Sequence, residues 1–270
     1  MQVLLKQTST QGTPTALNGL RLTTGEKPKT MKYHIKNKTM KGYIYSDQIP
    51  MFGHKIIIGY GTNDFYIIEI PKKLSKKIII KNHYSHKVCN DATTHIHLGC
   101  YINGELLGCL QFGYSMNPQS CGSLVSGTKL NQYKELNRMW FDDKAKKNTE
   151  SKAISYSIKY IKGKFKTVKW IQSFADERCG GLGIVYQACS FKFYGEHSST
   201  FWNFEGEIYH NSLITNSNRN KKAELEKRGF KETATKETLR QFRYIKFLDK
   251  SWIDKCTKTE KPYLKHYNND

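Results

Sequence analysis

The chain has 270 residues, and 38% of them are hydrophobic, which is enough for a packed core and excludes a chain that is disordered throughout. Lys and Arg total 44 against 23 Asp and Glu, a formal net charge of +21. So large an excess excludes an electrostatically indifferent surface. It predicts a polyanionic partner, with nucleic acid favoured over an anionic membrane face.

The first 40 residues are expected to form a basic, loosely ordered amino-terminal arm. Residues 1–30 are rich in Thr, Gln, Gly and Lys without periodicity, and lysines recur from Lys27 to Lys41. Such a run is either a solvated surface or an arm that contacts phosphates, and the net charge favours the second. Residues 41–270 are expected to form a single domain whose carboxyl-terminal part is basic.

Two further features concern the environment of the chain. It contains no apolar run of 18 residues, and Met1 to Leu5 show no signal-peptide pattern, so neither a membrane span nor a secretory leader is expected. The seven cysteines are odd in number and include no CxxC pair. They are therefore expected to be reduced core thiols of a cytoplasmic protein.

Short apolar runs dominate the first part of this domain. Residues 55–60, 65–70 and 77–81 are predicted to be strands, the last of them leading into the polar quartet His83-Tyr-Ser-His. Asn103-Gly104 lies between two apolar runs and predicts a hairpin, because both residues accept a positive φ. The Gly- and Ser-rich residues 115–131 are predicted to form a loop.

The second part alternates strands and helices. Residues 135–141 are predicted to be a strand, followed by a helix that Asn148 or Thr149 caps. In that helix the spacing of three isoleucines gives one apolar stripe, formed by Ile154, Ile158 and Ile161. A strand over 166–175, a short helix near 184–189 and strands at 191–195 and 242–248 complete a mixed α/β fold.

Two segments could bind phosphate groups. Arg178-Cys-Gly-Gly-Leu-Gly fits the pattern RxxGxG, which offers backbone N–H groups to a pyrophosphate but equally describes a tight strand-to-helix turn. The basic turn before the Ile154 helix could hold the phosphates of a cofactor, of DNA or of RNA, or could be an exposed turn. Its candidate residues are Lys144, Lys146, Lys147, Asn148 and Thr149.

Two other groups could carry the chemistry. His83, Tyr84 and Ser85 follow an apolar segment, and a histidine can act as a general base or metal ligand near neutral pH. Asp176 ends a predicted strand and Tyr186 lies ten residues on, within a short helix. A carboxylate and a phenol there could be a base and an acid, oxygen ligands of a metal, or purely structural groups.

Taken together, four blocks resemble the Mom family of phage DNA-modification enzymes over about residues 75–250. They are Asn82-His-Tyr-Ser-His, Glu135-Leu-Asn-Arg-Met-Trp-Phe-Asp, Ser151-Lys-Ala-Ile-Ser and Ser173-Phe-Ala-Asp followed by Gly-Leu-Gly-Ile-Val-Tyr-Gln-Ala. The resemblance implies a GNAT-like acyltransferase fold with an amino-terminal extension, the catalytic domain being residues 41–270. It also implies conversion of adenine in double-stranded DNA to N6-(carbamoylmethyl)adenine, which protects the DNA from host restriction.

The resemblance further implies roles for particular residues. Tyr84 after His83, and Asp176 with Tyr186, match functional positions of the family, and these three oxygen-bearing side chains are the candidate ligands of an Fe²⁺ ion. Ser85 is a further candidate at the chemical centre. Candidates for contacts with substrate or DNA are Arg138, Trp140, Lys144 and Gln187, with the target adenine flipped out of the duplex.

Several alternatives stay open at this point. The donor could be acetyl-CoA, a glycine-derived compound or a group borne on another carrier, and the oligomeric state is unknown. The chain could instead be an acetyl-CoA-dependent N-acetyltransferase of a protein or small molecule, or a non-catalytic DNA-binding anti-restriction protein. If the chain is phage-encoded, the expected location is the cytoplasm of the host cell, with no membrane partner.

Overall fold

The computed structural model of the protein describes residues 41–47, 55–87, 89, 91–177, 181–211, 214 and 221–265. The predicted arm, residues 1–40, lies outside the described residues, as do Arg178, Cys179 and Gly180 of the RxxGxG match.

Within these residues, ten strands form one sheet in the order β1-β2-β3-β4-β5-β6-β7-β10-β8-β9. The strands are β1 (Gly42–Tyr45), β2 (Ile57–Gly61), β3 (Phe65–Glu69), β4 (Thr94–Ile102), β5 (Glu105–Gly113), β6 (Tyr133–Phe141), β7 (Trp170–Asp176), β8 (Lys192–Phe204), β9 (Glu207–His210) and β10 (Thr235–Phe247).

Six α-helices and three 3₁₀ segments are described. The helices are α1 (Lys72–Asn82), α2 (Cys121–Leu124), α3 (Thr149–Lys164), α4 (Ile184–Ala188), α5 (Lys221–Lys227) and α6 (Phe230–Thr233). The 3₁₀ segments are Pro118–Ser120, Leu130–Gln132 and Lys250–Lys255. None of the helices in the described part of the chain is long and apolar enough to cross a membrane.

The sheet is mixed because β6 and β7 pair in parallel, whereas the other neighbouring strands pair antiparallel. The parallel pairing covers three residue pairs, from Tyr133↔Trp170 to Glu135↔Gln172. Helix α3 connects the two strands, as a parallel pair requires. This confirms the predicted mixed α/β sheet, and the run β6-α3-β7-α4-β8 agrees with the GNAT-like fold that the resemblance implies.

Helices cover both faces of the sheet. On one side, which we call the α3 face, the predicted stripe Ile154, Ile158 and Ile161 is buried in the main apolar cluster. On the other side, which we call the α1 face, the α1 hydroxyl of Ser75 contacts Cys109 of β5. The alternation of β5 residues between these faces follows from the period of two along a strand.

The chain departs from the sequence predictions in three places. Residues 77–81 belong to helix α1 and are not a strand; a short apolar run does not distinguish the two states, and Pro71 at the N-cap favours a helix start. The predicted 115–131 loop contains α2 and two 3₁₀ segments. Asn148 occupies the N-cap of α3, but its side chain makes no capping hydrogen bond.

Other local predictions are confirmed. Asn103 and Gly104 connect β4 and β5 with φ of 50° and 84°, as the two-residue hairpin requires. The strand that ends at Asp176 and the short helix α4 are present. The six cysteines in the described ranges are all free thiols.

Candidate active site

The centre of the candidate site is the meeting of Tyr84 and Asp176. Tyr84 lies two residues beyond the end of α1, and Asp176 is the last residue of β7. The Tyr84 hydroxyl donates a hydrogen bond of 3.4 Å to Oδ2 of Asp176. Tyr84 is 54% exposed, so this pair meets solvent at the carboxyl end of the interior strand β7, where a substrate can reach it.

His83 is buried directly behind this pair. Its ring lies 4.2 Å from the Tyr84 ring, centroid to centroid. Its Nδ1 accepts the backbone N–H of Ser85 at 3.1 Å and lies 2.8 Å from the Ser85 hydroxyl. Because Nδ1 accepts a hydrogen bond, the neutral ring carries its proton on Nε2. His83 thus holds Tyr84 in place through the ring contact, and Ser85 fixes its tautomer.

Arg138 anchors the segment that carries these residues. Its Nε donates to the Lys87 carbonyl at 3.2 Å, and its Nη1 donates to the Asn137 carbonyl at 2.6 Å. On the other side, the Lys87 ammonium donates to the Ile208 carbonyl of β9 at 3.3 Å. The segment is therefore tied both to β6 and to β9, and the predicted contact of Arg138 with DNA stays a prediction.

Tyr186 lies close to the same strand end but is buried. Its hydroxyl donates to the carbonyl of Phe174 at 3.4 Å, two residues before Asp176. Gln187 donates to the Tyr244 hydroxyl at 3.2 Å, so it is placed to hold the turn before α4 against β10. That turn needs glycine at position 183, where φ is +73° and a Cβ would lie 2.3 Å from the Tyr244 ring.

The other predicted binding residues lie at the start of α3 and on β6. The Lys144 ammonium is 3.6 Å from Glu105, and Lys146, Lys147 and Asn148 are exposed beside it. Thr149 is buried at the first turn of α3. Trp140 packs on the apolar cluster under α1. Whether any of these side chains contacts a donor or DNA stays a prediction.

Cross-strand pairing places further polar residues beside Asp176. Asp176 pairs with Gln241 of β10, and Gln241 pairs with His197 of β8. Directly paired residues point to the same face, so the three side chains form a row on the α1 face. Burial lowers the pKa of the His197 imidazole, and the nearby Arg243 adds to this effect. No local sequence pattern marks His197, because its place depends on strand register.

A buried network of side-chain hydrogen bonds lies next to this row. Gln172 donates to the Glu135 carboxylate at 2.6 Å, and its carbonyl oxygen accepts from Nη1 of Arg243 at 2.6 Å. Asn137 donates to the other carboxylate oxygen at 3.2 Å. Burial raises the pKa of Glu135, while the two amide hydrogen bonds oppose this rise. This hydrogen-bond network connects β6, β7 and β10 at the place where the parallel pairing of β6 and β7 ends.

Two cavities in the described part of the chain lie away from these residues. One of about 410 Å³ opens between the end of α3 and the end of β10, near Lys162 and Lys250. Another of about 130 Å³ lies by Glu69 and His97. Within the described ranges, no three His, Cys, Asp or Glu side chains are grouped to hold a metal ion. Within the described residues, the Tyr84–Asp176 site is formed by the end of β7 and the segment that follows α1.

Comparison with known proteins places these residues within a matched region. The model of the Mom protein family matches residues 64–265. The chain is 42% identical over 194 residues to a protein named methylcarbamoylase mom of Escherichia phage Mu, covering 72% of this chain and 80% of that protein.

Solved structures with a similar course of the chain are acetyltransferases. The ribosomal-protein-S5-alanine acetyltransferase of Vibrio fischeri matches 72% of this chain and 98% of its own, with a TM-score of 0.42 and 8% identity. NAA60 of Arabidopsis thaliana, solved in complex with acetyl-CoA, matches 68% of this chain and 99% of its own, with a TM-score of 0.44 and 10% identity.

Proposed function

The chain belongs to the Mom protein family, and from this premise we propose that it modifies DNA. The proposed reaction converts adenine in double-stranded DNA to N6-(carbamoylmethyl)adenine and so shields the DNA from restriction. The observation that carries the proposal is the hydrogen bond between Tyr84 and Asp176, since it joins the two motifs that the family resemblance singles out across 92 residues of sequence.

The geometry favours Asp176 as the base. The adenine N6 amine is a weak nucleophile, because its lone pair is delocalised into the ring, so removing its proton assists attack. The Nδ1 atom of His83 already accepts the Ser85 amide, and its Nε2 carries the ring proton. Asp176 is an acceptor that lies at the solvent-facing strand end, and the Tyr84 hydroxyl orients its Oδ2.

An Fe²⁺ ion would find a partial ligand set here. The Tyr84 and Asp176 oxygens lie 3.4 Å apart, so both could ligate one ion. When bound, that ion would supply redox chemistry. The Tyr186 hydroxyl, in contrast, is directed at the Phe174 carbonyl. Tyr84 and Asp176 would thus supply two ligands in place of their hydrogen bond, a state in which Asp176 would not be the free base, whereas Tyr186 would first have to leave its backbone partner.

The substrate must reach this site from a duplex. A target adenine inside the helix is inaccessible, so we expect it to be flipped out toward Asp176 and stacked against exposed aromatic surface such as Tyr84. The formal charge of +21 supports binding to the phosphate backbone, which should weaken steeply with salt. In this proposal the basic turn before α3 holds a carrier-borne or glycine-derived donor that already bears the carbamoylmethyl group. The N6 atom forms the new N–C bond, the carrier leaves with the electrons of the broken bond, and Asp176 takes the N6 proton.

Nucleoside mass spectrometry of plasmid DNA from expressing cells tests the reaction. Wild-type protein should give a deoxyadenosine adduct of carbamoylmethyl mass, and Asp176→Ala should abolish it. Tyr84→Phe, which removes only the hydroxyl that orients Asp176, should reduce it on the order of a hundredfold. Asp254→Ala is the matched control, since it removes an exposed carboxylate of the last 3₁₀ segment and should leave the adduct level unchanged.

The other outcomes separate the alternatives. Unmodified DNA from folded wild-type protein would contradict the proposal. In that case, tight acetyl-CoA binding would indicate an N-acetyltransferase of another substrate. Salt-sensitive DNA binding without any acetyl-CoA binding would indicate a non-catalytic binding protein.

A further inference from the structure

Arg243 presents a cation on the same face as Asp176. It pairs with Phe174 across β10 and β7, two residue pairs along the ladder from the pair Gln241↔Asp176. Residues two apart on a strand point to the same side and are separated by about 7 Å. The Arg243 guanidinium lies 4.6 Å from the centre of the Phe174 ring, which is itself only partly buried.

The buried hydrogen-bond network of Glu135 and Gln172 holds this guanidinium in one orientation. Gln172 accepts from Nη1, Gln172 in turn donates to Glu135, and Phe174 supports the guanidinium plane. Among the described residues, Gln172 is the one hydrogen-bond partner of the Arg243 side chain. A guanidinium has five N–H donors, so most of them remain for a ligand.

A structural role alone explains this arrangement poorly. The Arg243 side chain is partly buried, and desolvating a guanidinium is costly, so an apolar residue at this position would serve packing as well or better. The Arg243 guanidinium contacts the neutral amide of Gln172, and the Glu135 carboxylate lies beyond that amide. The guanidinium therefore keeps its capacity to bind another anion. A planar fork of donors is suited to oxyanions, and above all to phosphate.

We propose that Arg243 binds a phosphate oxygen of the substrate, with Gln172 and Glu135 as positioning residues. The inference rests on the proposed function, because the favoured source of that phosphate is the DNA strand at the flipped adenine. The flipped nucleotide must bring its own backbone close to Asp176, and the net charge of +21 favours DNA as the anion. The other source of the same chemistry is a phosphate of a carrier-borne donor.

The test is direct binding without turnover. A fluorescein-labelled 20-base-pair duplex would be titrated with wild type, Arg243→Gln and Arg243→Lys at several salt concentrations. We expect Arg243→Gln to weaken binding on the order of tenfold and to lower the slope of log K against log salt by about one. Arg243→Lys should keep the slope and lose part of the affinity, because it retains the charge without the fork.

Arg240→Gln is the matched control. It removes the same charge from the same strand, but Arg240 is held by Glu177 through a contact of 2.9 Å from its Nε. We expect DNA affinity to change less than about threefold in this variant. Thermal unfolding of each variant would confirm that it is folded. If Arg243→Gln does not fold, Arg243→Lys still tests the proposal.

Acetyl-CoA titration forms the second arm. Weaker duplex binding with unchanged acetyl-CoA binding assigns the phosphate to DNA. Weaker acetyl-CoA binding with unchanged duplex binding assigns it to the donor. If neither titration differs from wild type for Arg243→Gln or Arg243→Lys, the proposal is overturned. These readouts do not depend on adduct formation, so a wild type that leaves DNA unmodified would contradict the proposed reaction without deciding the role of Arg243.

Discussion

Two consecutive residues of β6 show how differently the two faces of the sheet are built. Lys134 points to the α3 side, where its ammonium lies 4.4 Å from the centre of the Tyr114 ring and 5.8 Å from that of Phe165. Glu135 points to the α1 face, where Gln172 and Asn137 both donate to it. Both side chains are buried, at 3% and 9% exposure.

The contrast lies in how each charge is compensated. Burial lowers the pKa of Lys134 to about 8, with no carboxylate contributing, so the α3 face tolerates this cation at a cost. Around Glu135 the α1 face supplies hydrogen bonds, and Arg243 and Arg138 also favour its charged form. The α3 face is therefore organised for packing, whereas the α1 face places fixed charges beside Asp176. Three substitutions test this difference.

The largest effect should come from the α3 face. Ile154→Ala removes a fully buried side chain from the main cluster and leaves a cavity, so we expect it to lower the free energy of unfolding by about 2–5 kcal/mol. Urea denaturation measures this loss. The control is Ile80→Ala on α1, where the isoleucine is 50% exposed and the expected change is within about 0.5 kcal/mol. Equal losses at both positions would refute the packing role assigned to this face.

Glu135→Leu addresses the α1 face and should cost less, about 2–3 kcal/mol, because it leaves the Gln172 and Asn137 amides without their buried acceptor. Unlike Ile154→Ala, it should also weaken duplex binding, since Arg243 loses its support. Urea denaturation and the duplex titration report the two effects separately. A variant that loses stability while binding DNA as tightly as wild type would show that Glu135 is only a structural group.

The same contrast explains which features the sequence could predict. The spacing of Ile154, Ile158 and Ile161 determines a helix and its buried side, and Asn103-Gly104 determines a hairpin, because these signals are local. The Ile78-Ile-Ile run misled the prediction, since three consecutive β-branched residues are typical of strands, whereas burial of Ser75 and Ile79, four residues apart, follows a helix.

The α1 face could not be predicted in this way. Glu135, Gln172 and Arg243 are separated by 37 and 71 residues and meet only through strand register. Family resemblance, and not any local pattern, brings Tyr84 and Asp176 together in the prediction. His197 was missed altogether, because a histidine inside a long polar strand carries no signal until its neighbours on β10 are known.

The smallest expected effect is a gain in stability from Lys134→Met, which removes the uncompensated cation from the α3 face. The shift from 10.5 to about 8 corresponds to a cost of about 3 kcal/mol. Loss of the contact with the Tyr114 ring offsets roughly 1 kcal/mol of the gain. We therefore expect a net stabilisation of about 1–2 kcal/mol at pH 7, measured by urea denaturation.

The pH dependence of this gain is what identifies its cause. Below pH 8 Lys134 is protonated in both states, so wild type carries the full cost of the buried charge. Between about pH 8 and 10.5 the unfolded chain holds a proton that the folded protein has released, so wild-type stability rises with pH. The advantage of Lys134→Met should accordingly be greatest at pH 7 and fall steadily above pH 8. Lys152→Met, which removes an exposed cation lying 4.0 Å from the Phe65 ring centre, is the matched control for the loss of a positive charge. A gain at Lys134 that stayed constant from pH 7 to 10 would mean that better packing, and not relief of a buried charge, stabilises this face.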